Sequence, residues 1–262
     1  MDHFPRQLGD SLWFRSTEKT AQQAVHSSSN LSLDHTWKDL EVVDVDGDRL
    51  ERSHIVTLHR SDPTHATFDM MRTKTLQTLK KNEWTSIAIT SPTPLCGKTT
   101  VALNLAFSLS HQLDCRTVLI DFNMKTPGFE QFLGVSAPFS IQDFLCGSSS
   151  LEQAFVRFGE NLAIGTTSKT AEFSAELLQS SETARVLREM KSKLAPDVII
   201  YDMPKMLGGD DVTAFLPNVD CALLVAAAEH STFDEIDRCE RHLSERTNLL
   251  GVVLNKCLFD VG

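Results

Sequence analysis

Positive charge is scarce in this 262-residue sequence: 25 Lys and Arg stand against 35 Asp and Glu, for a formal net charge of −10. A sequence-independent nucleic-acid binder needs Lys and Arg to displace counterions, so the composition argues against nucleic acid as a partner. Long apolar runs are missing too. The longest aliphatic stretch, Ala222 to Ala228, falls far short of the roughly 20 residues that span a bilayer. The N-terminus, MDHFPRQLGD, lacks the apolar core of a secretory signal. These absences predict a cytoplasmic protein with no membrane span of its own, whose membrane contact runs through a partner. The six cysteines form no C-x-x-C pair. The nine histidines show no zinc spacing, since His54 and His59 are five apart and do not share a helix face. Reduced core thiols are expected, and a metal site of His and Cys is not. Tyrosine occurs once, as Tyr201 in the apolar run VIIYD, where it reads as core.

What is present is a globular core: 41% of the chain is apolar. Residues 1–65 show no sustained periodicity, and the stretch 16–30 is polar and Ser-rich. They predict a mostly flexible, acidic and polar extension, with one short docked strand around Leu40–Val45. Within it, EVVDVDGD lacks the full calcium-loop spacing and reads as a solvated acidic turn. From Thr67 the pattern changes. Phe68, Met71, Leu76 and Leu79 recur at helical spacing. Short apolar runs follow at 85–91, 116–122, 161–167, 197–202, 221–227 and 249–255. Helical patterns alternate with them at 99–113, 174–194 and 231–245, and GFEQFLG, SIQDFLCG and SLEQAFVRF read as short helices. Strands apolar on both faces, alternating with helices, predict an α/β domain over 66–262: a mostly parallel sheet with helices on both faces.

Between the first such strand and the next helix lies SPTPLCGKTT, residues 91–100. A phosphate-binding loop needs this position, because the helix N-terminus offers free N–H groups and a positive dipole end to the phosphates. Gly97, Lys98 and Thr99 match the end of the pattern G-x-x-x-x-G-K-[S/T], but Pro92 stands at its first glycine. Thr93, Pro94, Leu95, Cys96, Gly97, Lys98, Thr99 and Thr100 would then wrap the phosphates of ATP or ADP. Lys98 would neutralise the β- and γ-phosphates and Thr99 would bind Mg²⁺. Asp121 ends the strand VLID and Asp202 ends VIIYD. Two carboxylates at strand ends are what a P-loop enzyme uses to hold Mg²⁺ and position the attacking group. Lys98, Asp121 and Asp202 are the candidate catalytic residues, and Thr99, Asp121 and Asp202 the candidate metal ligands.

From about Thr67 to Lys256 the chain resembles the cytoplasmic tyrosine-kinase domain of bacterial capsule and exopolysaccharide systems, the BY-kinases. These belong with the partition and septum-placement ATPases of the deviant P-loop group. The family loop, S-x-x-P-G-x-G-K-[S/T], is met at Ser91, Pro94, Gly97, Lys98 and Thr99 and carries no glycine where Pro92 stands. The family's D-x-D-x-R-x-P appears as Asp121, Asn123, Lys125 and Pro127, and its D-x-P-P as Asp202-Met203-Pro204-Lys205. S-E-L-L appears as Ala175-Glu176-Leu177-Leu178, and GVVLNK at 251–256 closes the pattern. The resemblance implies a P-loop NTPase-like fold, Mg-ATP as cofactor, and Asn255 reaching the adenine ring. It also implies docking on a membrane chain-length protein at the inner membrane, whose cytoplasmic segment helps complete the active site.

Five departures bear on activity. Leu95 replaces a glycine or small residue, at a cost of about 1–2 kcal/mol if the position needs positive φ. Asn123 replaces the second aspartate and cannot carry charge, and Lys125 keeps the family arginine's charge without its fork. Of the interface motif E-x-x-R-x-x-R only Arg72 survives, with Ala66 and Asp69 at the other two positions, so any homo-oligomer would use an atypical interface helix. The family's tyrosine-rich tail has no counterpart in LNKCLFDVG. Cys96, beside Lys98 and the helix N-terminus, stands where a thiol pKa falls, and reads as a redox group or a bland spacer. Three functions compete: a kinase-like regulator of surface-polysaccharide polymerisation or export, a switch ATPase of the partition and septum-placement type, and a catalytically degenerate nucleotide-binding scaffold. The switch ATPases carry a second lysine early in the loop, and residues 91–96 contain none.

Overall fold

A computed structural model describes residues 35–60, 62–135 and 137–257. The Ser-rich stretch 16–30 and the last residues of the chain lie outside this set. Eight strands form one sheet in the order β1-β4-β5-β3-β6-β2-β7-β8. They are β1 (Glu41–Val42), β2 (Ser86–Ser91), β3 (Thr117–Asp121), β4 (Phe155–Phe158), β5 (Leu162–Gly165), β6 (Val198–Lys205), β7 (Cys221–Ala227) and β8 (Asn248–Asn255). All neighbours pair in parallel except β4 with β5. The period-2 alternation of each strand feeds two cores. Ile87 and Ile89 of β2 pack on one face with Val101, Leu105 and Phe107, while Ala88 faces Ile120, Phe122 and Tyr201 on the other. Helices cover both faces, as the sequence pattern predicts.

Residues 35–60 do not stand apart from this body. β1 pairs with β4, and Trp37, Leu40, Leu50 and Ile55 are buried. The Trp37 indole donates to the Leu194 carbonyl at 2.7 Å. Helix α1 (Gly47–Arg52) starts at Asp46, whose carboxylate accepts from the backbone N–H groups of Asp48 and Arg49. The acidic turn is therefore a helix cap. The boundary expected at residue 65 thus falls within packed structure. The buried residues of this arm are few and widely spaced, and so gave no periodic signal.

Helix α2 (His65–Asn82) precedes β2, and α3 (Lys98–Ser110) follows it; α4 (Phe129–Leu133) and α5 (Ile141–Leu145) follow β3. Two expectations need correction. In SLEQAFVRF only Leu151–Ala154 is helical, as α6; Phe155–Phe158 is β4, antiparallel to β5, because its aromatic and β-branched residues are drawn into the sheet. The helix expected over 174–194 is two, α7 (Ser174–Gln179) and α8 (Ser181–Leu194). Ser180 leaves the helical region at φ −66, ψ 148, and its hydroxyl caps α8 through the Thr183 N–H at 3.0 Å. Helix α9 (Asp211–Phe215) follows β6, and α10 (Phe233–Ser244) precedes β8. Among the described residues no helix is long and apolar enough to cross a membrane.

Candidate nucleotide-binding site

The loop 92–97 joins the C-terminal end of β2 to the first turn of α3. Gly97 begins the helix at φ 86, and a Cβ there would collide with the Asn255 side chain. Only glycine meets both demands. Leu95 also has positive φ, at 63, with its side chain 78% exposed. The loop thus imposes on a leucine the left-handed backbone that glycine adopts freely. Its carbonyls are held from three sides. His230 Nε2 lies 3.2 Å from the Pro94 oxygen, Asn255 Nδ2 donates to the Cys96 oxygen at 2.9 Å, and Ser91 Oγ donates to the Thr93 oxygen at 2.8 Å. Cys96 is buried beneath the loop, its Sγ directed at the Thr93 oxygen and 3.5 Å from Ser231 Oγ. Its place is that of a packing spacer. Asn255, expected at the adenine ring, here supports the loop.

Asp121, the last residue of β3, and Asp202, three residues before the end of β6, occupy paired positions side by side. Thr99 Oγ1 donates to Asp202 Oδ2 at 2.7 Å. Asp202 Oδ1 is buried without a hydrogen-bond partner. Asp121 Oδ1 accepts from the Asn123 N–H, and Oδ2 from those of Gly128 and Phe129, at 3.0–3.2 Å. Burial, and then the Asp202 charge beside it, push Asp121 up to about 7. Burial raises Asp202 as well, against the pull of Lys98 and the Thr99 hydroxyl. Two buried carboxylates and an orphaned oxygen form an anionic pair suited to a divalent cation.

Asn123 Oδ1 accepts from the Thr126 hydroxyl at 3.0 Å, so this side chain braces its own loop. Lys125 pairs with Asp211 at 2.7 Å, and the other Asp211 oxygen accepts from Ser174 Oγ. Arg72 turns inward, donating to Asp69 at 2.9 Å and to the Ser108 carbonyl at 3.1 Å. Its guanidinium is engaged within its own subunit.

A cavity of about 850 Å³ is lined by residues that include Lys98, Thr99, Thr100, Asn123, Lys125 and Asp211. Pro94, Leu95, Cys96 and Gly97 line it as well, whereas Thr93, Asp121, Asp202 and Asn255 are not among its lining residues. Among the lining residues that the sequence did not mark as site residues are Ser53 and His54 from the arm, Lys205 at the end of β6 and Lys256 after β8. Lys205 and Lys256 close the motifs at 202–205 and 251–256, and their place in these motifs was the available signal. Ser53 and His54 carried none.

No family model matches the chain. The tyrosine-protein kinase YwqD of Bacillus subtilis is 25% identical over 211 residues, covering 80% of this chain and 88% of that protein. The kinase domain of VpsO superposes with a TM-score of 0.64 at 27% identity, over 74% of this chain and 96% of that domain. The chain is homologous to the bacterial tyrosine-kinase domains. Some relatives of these domains are much longer. The succinoglycan biosynthesis transport protein ExoP of Rhizobium meliloti is 31% identical over 186 residues, 69% of this chain but 23% of that protein. The chain spans about a quarter of the length of such relatives. The septum site-determining protein MinD of Pyrococcus horikoshii, solved with Mg-ADP, has a TM-score of 0.54 at 25% identity over 65% of this chain and 69% of that one. The bacterial tyrosine-kinase fold is thus shared with a P-loop protein that holds nucleotide and Mg²⁺.

Proposed function

We propose that this chain binds Mg-ATP or Mg-ADP on the loop 93–100 and acts as a tyrosine-kinase-like P-loop enzyme, regulating polymerisation or export of a surface polysaccharide. The observation that carries the reading is the contact of Thr99 with Asp202, beside Asp121 and at the mouth of the loop. Lys98 stands in the cavity and counters the polyphosphate charge. Thr99, which lines the cavity, and Asp202, whose Oδ1 has no hydrogen-bond partner among the described residues, would hold Mg²⁺, whose role when bound is to neutralise phosphate charge. Both oxygens of Asp121 already accept backbone N–H groups, so Asp121 fits as charged support behind the metal more than as a direct ligand. Asp121 also clamps the 123–129 loop that carries Asn123 and Lys125 into the cavity. In this reading the protein works in the cytoplasm against a membrane chain-length partner, as the resemblance of its motifs to the BY-kinases implies, and the name of ExoP, a polysaccharide transport protein, agrees with such a setting.

A second reading, the catalytically weak nucleotide-bound scaffold, is favoured by the left-handed Leu95 and by Asn123, which is neutral and committed to Thr126. Calorimetric titration of Mg-ATP, run beside a turnover assay with and without the partner's cytoplasmic segment, separates the two. Binding by the wild type and its loss, by at least about 100-fold, in Lys98→Ala is expected of both readings. Turnover selects the enzyme. No binding at millimolar Mg-ATP overturns both.

A further inference from the structure

The cavity wall contributed by the arm is built, not incidental. Asn104, 0% exposed on α3, spends its whole side chain on the arm and the loop helix. Its Oδ1 accepts from the Val56 and Thr57 N–H groups at 2.9 and 3.3 Å, and its Nδ2 donates to the carbonyls of His54 and Thr100, each at 2.9 Å. Thr57 Oγ1 donates back to the Asn104 carbonyl at 2.9 Å, and His111 Nε2 lies 2.9 Å from the Thr57 oxygen. One buried amide group therefore bridges the arm at His54 to the first turn of the phosphate helix at Thr100. His54 follows the C-cap of α1 with a left-handed backbone at φ 59, a common way for a helix to end and one that histidine adopts more readily than most residues. His54 lines the cavity, and its imidazole makes no hydrogen bond among the described residues.

The position decides what His54 can touch. Thr100 and Asn104 share one face of α3, turned about 100° from Thr99 and its contact with Asp202. In a phosphate loop the lysine reaches the β- and γ-phosphates while the loop amides cradle α and β, so the nucleoside leaves on the side away from the lysine and the metal. We propose that His54, with Ser53 beside it, is a nucleoside-contact residue, its ring packing on the base or ribose of the bound nucleotide. This deepens the nucleotide reading above and rests on it. The arm is then part of the binding site, and Asn104 is the positioning residue that holds it there.

His54→Gly tests this without threatening the fold, because glycine is at ease at φ 59. The full chain and the variant are titrated with Mg-ADP and with Mg-tripolyphosphate, which carries the phosphates and no nucleoside. Loss of one aromatic contact on a base weakens Mg-ADP roughly tenfold and leaves Mg-tripolyphosphate unchanged. Lys98→Ala weakens both. Equal Mg-ADP affinity in wild type and His54→Gly overturns the inference alone. Equal weakening toward both ligands also overturns it, since the effect is then on the phosphate loop. A wild type that binds neither ligand overturns the nucleotide reading and this inference with it.

Discussion

Replacing Asp202 by Asn is expected to stabilise the metal-free protein while crippling its nucleotide binding. Asp202 is 1% exposed and lies beside Asp121 in the register of β3 and β6. Burial and this neighbour together push Asp121 up to about 7 from the usual carboxylate value of 3.8. A rise of about three units means roughly 4 kcal/mol against ionising Asp121 in the folded state. Burial is the larger cause and the Asp202 charge the second, so about 1–2 kcal/mol belongs to the repulsion between the two. The sign follows from proton linkage. A carboxyl with a raised folded-state pKa contributes stability that is fully present below the unfolded value near 4 and lost as pH rises through about 7. Wild type in EDTA therefore melts lower at pH 8 than at pH 6, and Asp202→Asn flattens that difference. At pH 8 the variant should melt higher by about 2–6 °C, the shift that 1–2 kcal/mol gives a domain of this size. Its affinity for Mg-ADP should fall on the order of 100-fold, because the anionic partner of the cation is gone. Scanning calorimetry in EDTA and a Mg-ADP titration supply both readouts. An Asp202→Asn protein that melts below wild type at pH 8, or binds Mg-ADP undiminished, refutes the reasoning.

Leu95→Gly removes a left-handed leucine worth about 1–2 kcal/mol of strain and adds about 0.4–1 kcal/mol of unfolded-state entropy, so the net gain is about 0.5–1 kcal/mol. The melting temperature should rise by about 1–4 °C, and an unchanged or lower value shows that Leu95 is not strained. Tyr201→Phe keeps the ring that stacks on Phe122 at 5.1 Å and meets Phe215 at 4.8 Å, and deletes a buried hydroxyl with no partner. It should stabilise by about 1 kcal/mol in urea unfolding, and destabilisation contradicts the orphan assignment. Because Tyr201 is 0% exposed, the wild type should also give no phosphotyrosine at this position by mass spectrometry after incubation with Mg-ATP.

The primary sequence by itself determined the alternation of strand and helix, the loop at 91–100 and the two aspartates that follow apolar runs, although β6 continues past Asp202 to Lys205. Those features are local: apolar runs, a helix N-terminus and a Gly-Lys-Thr triplet carry their meaning within about ten residues. It also marked Leu95 as a misfit, and the left-handed φ there gives that misfit its physical cause. Tertiary structure alone decided which groups meet. Asp121 and Asp202 are 81 residues apart in the chain, and only the parallel pairing of β3 with β6 makes them neighbours with a shared charge problem. The resemblance marks Asn255 as a base contact, and only the fold shows that its Nδ2 donates to the Cys96 carbonyl, because the end of β8 reaches the loop from the side. Phe155–Phe158 became a strand because β5 and β1 offered edges to pair with. The arm was least legible of all. Its attachment rests on a few buried residues and on one asparagine, Asn104, whose amide is satisfied by backbone groups about 50 residues earlier in the chain. A single polar side chain on an apolar helix has no period to announce it, so that contact exists only once the chain has folded.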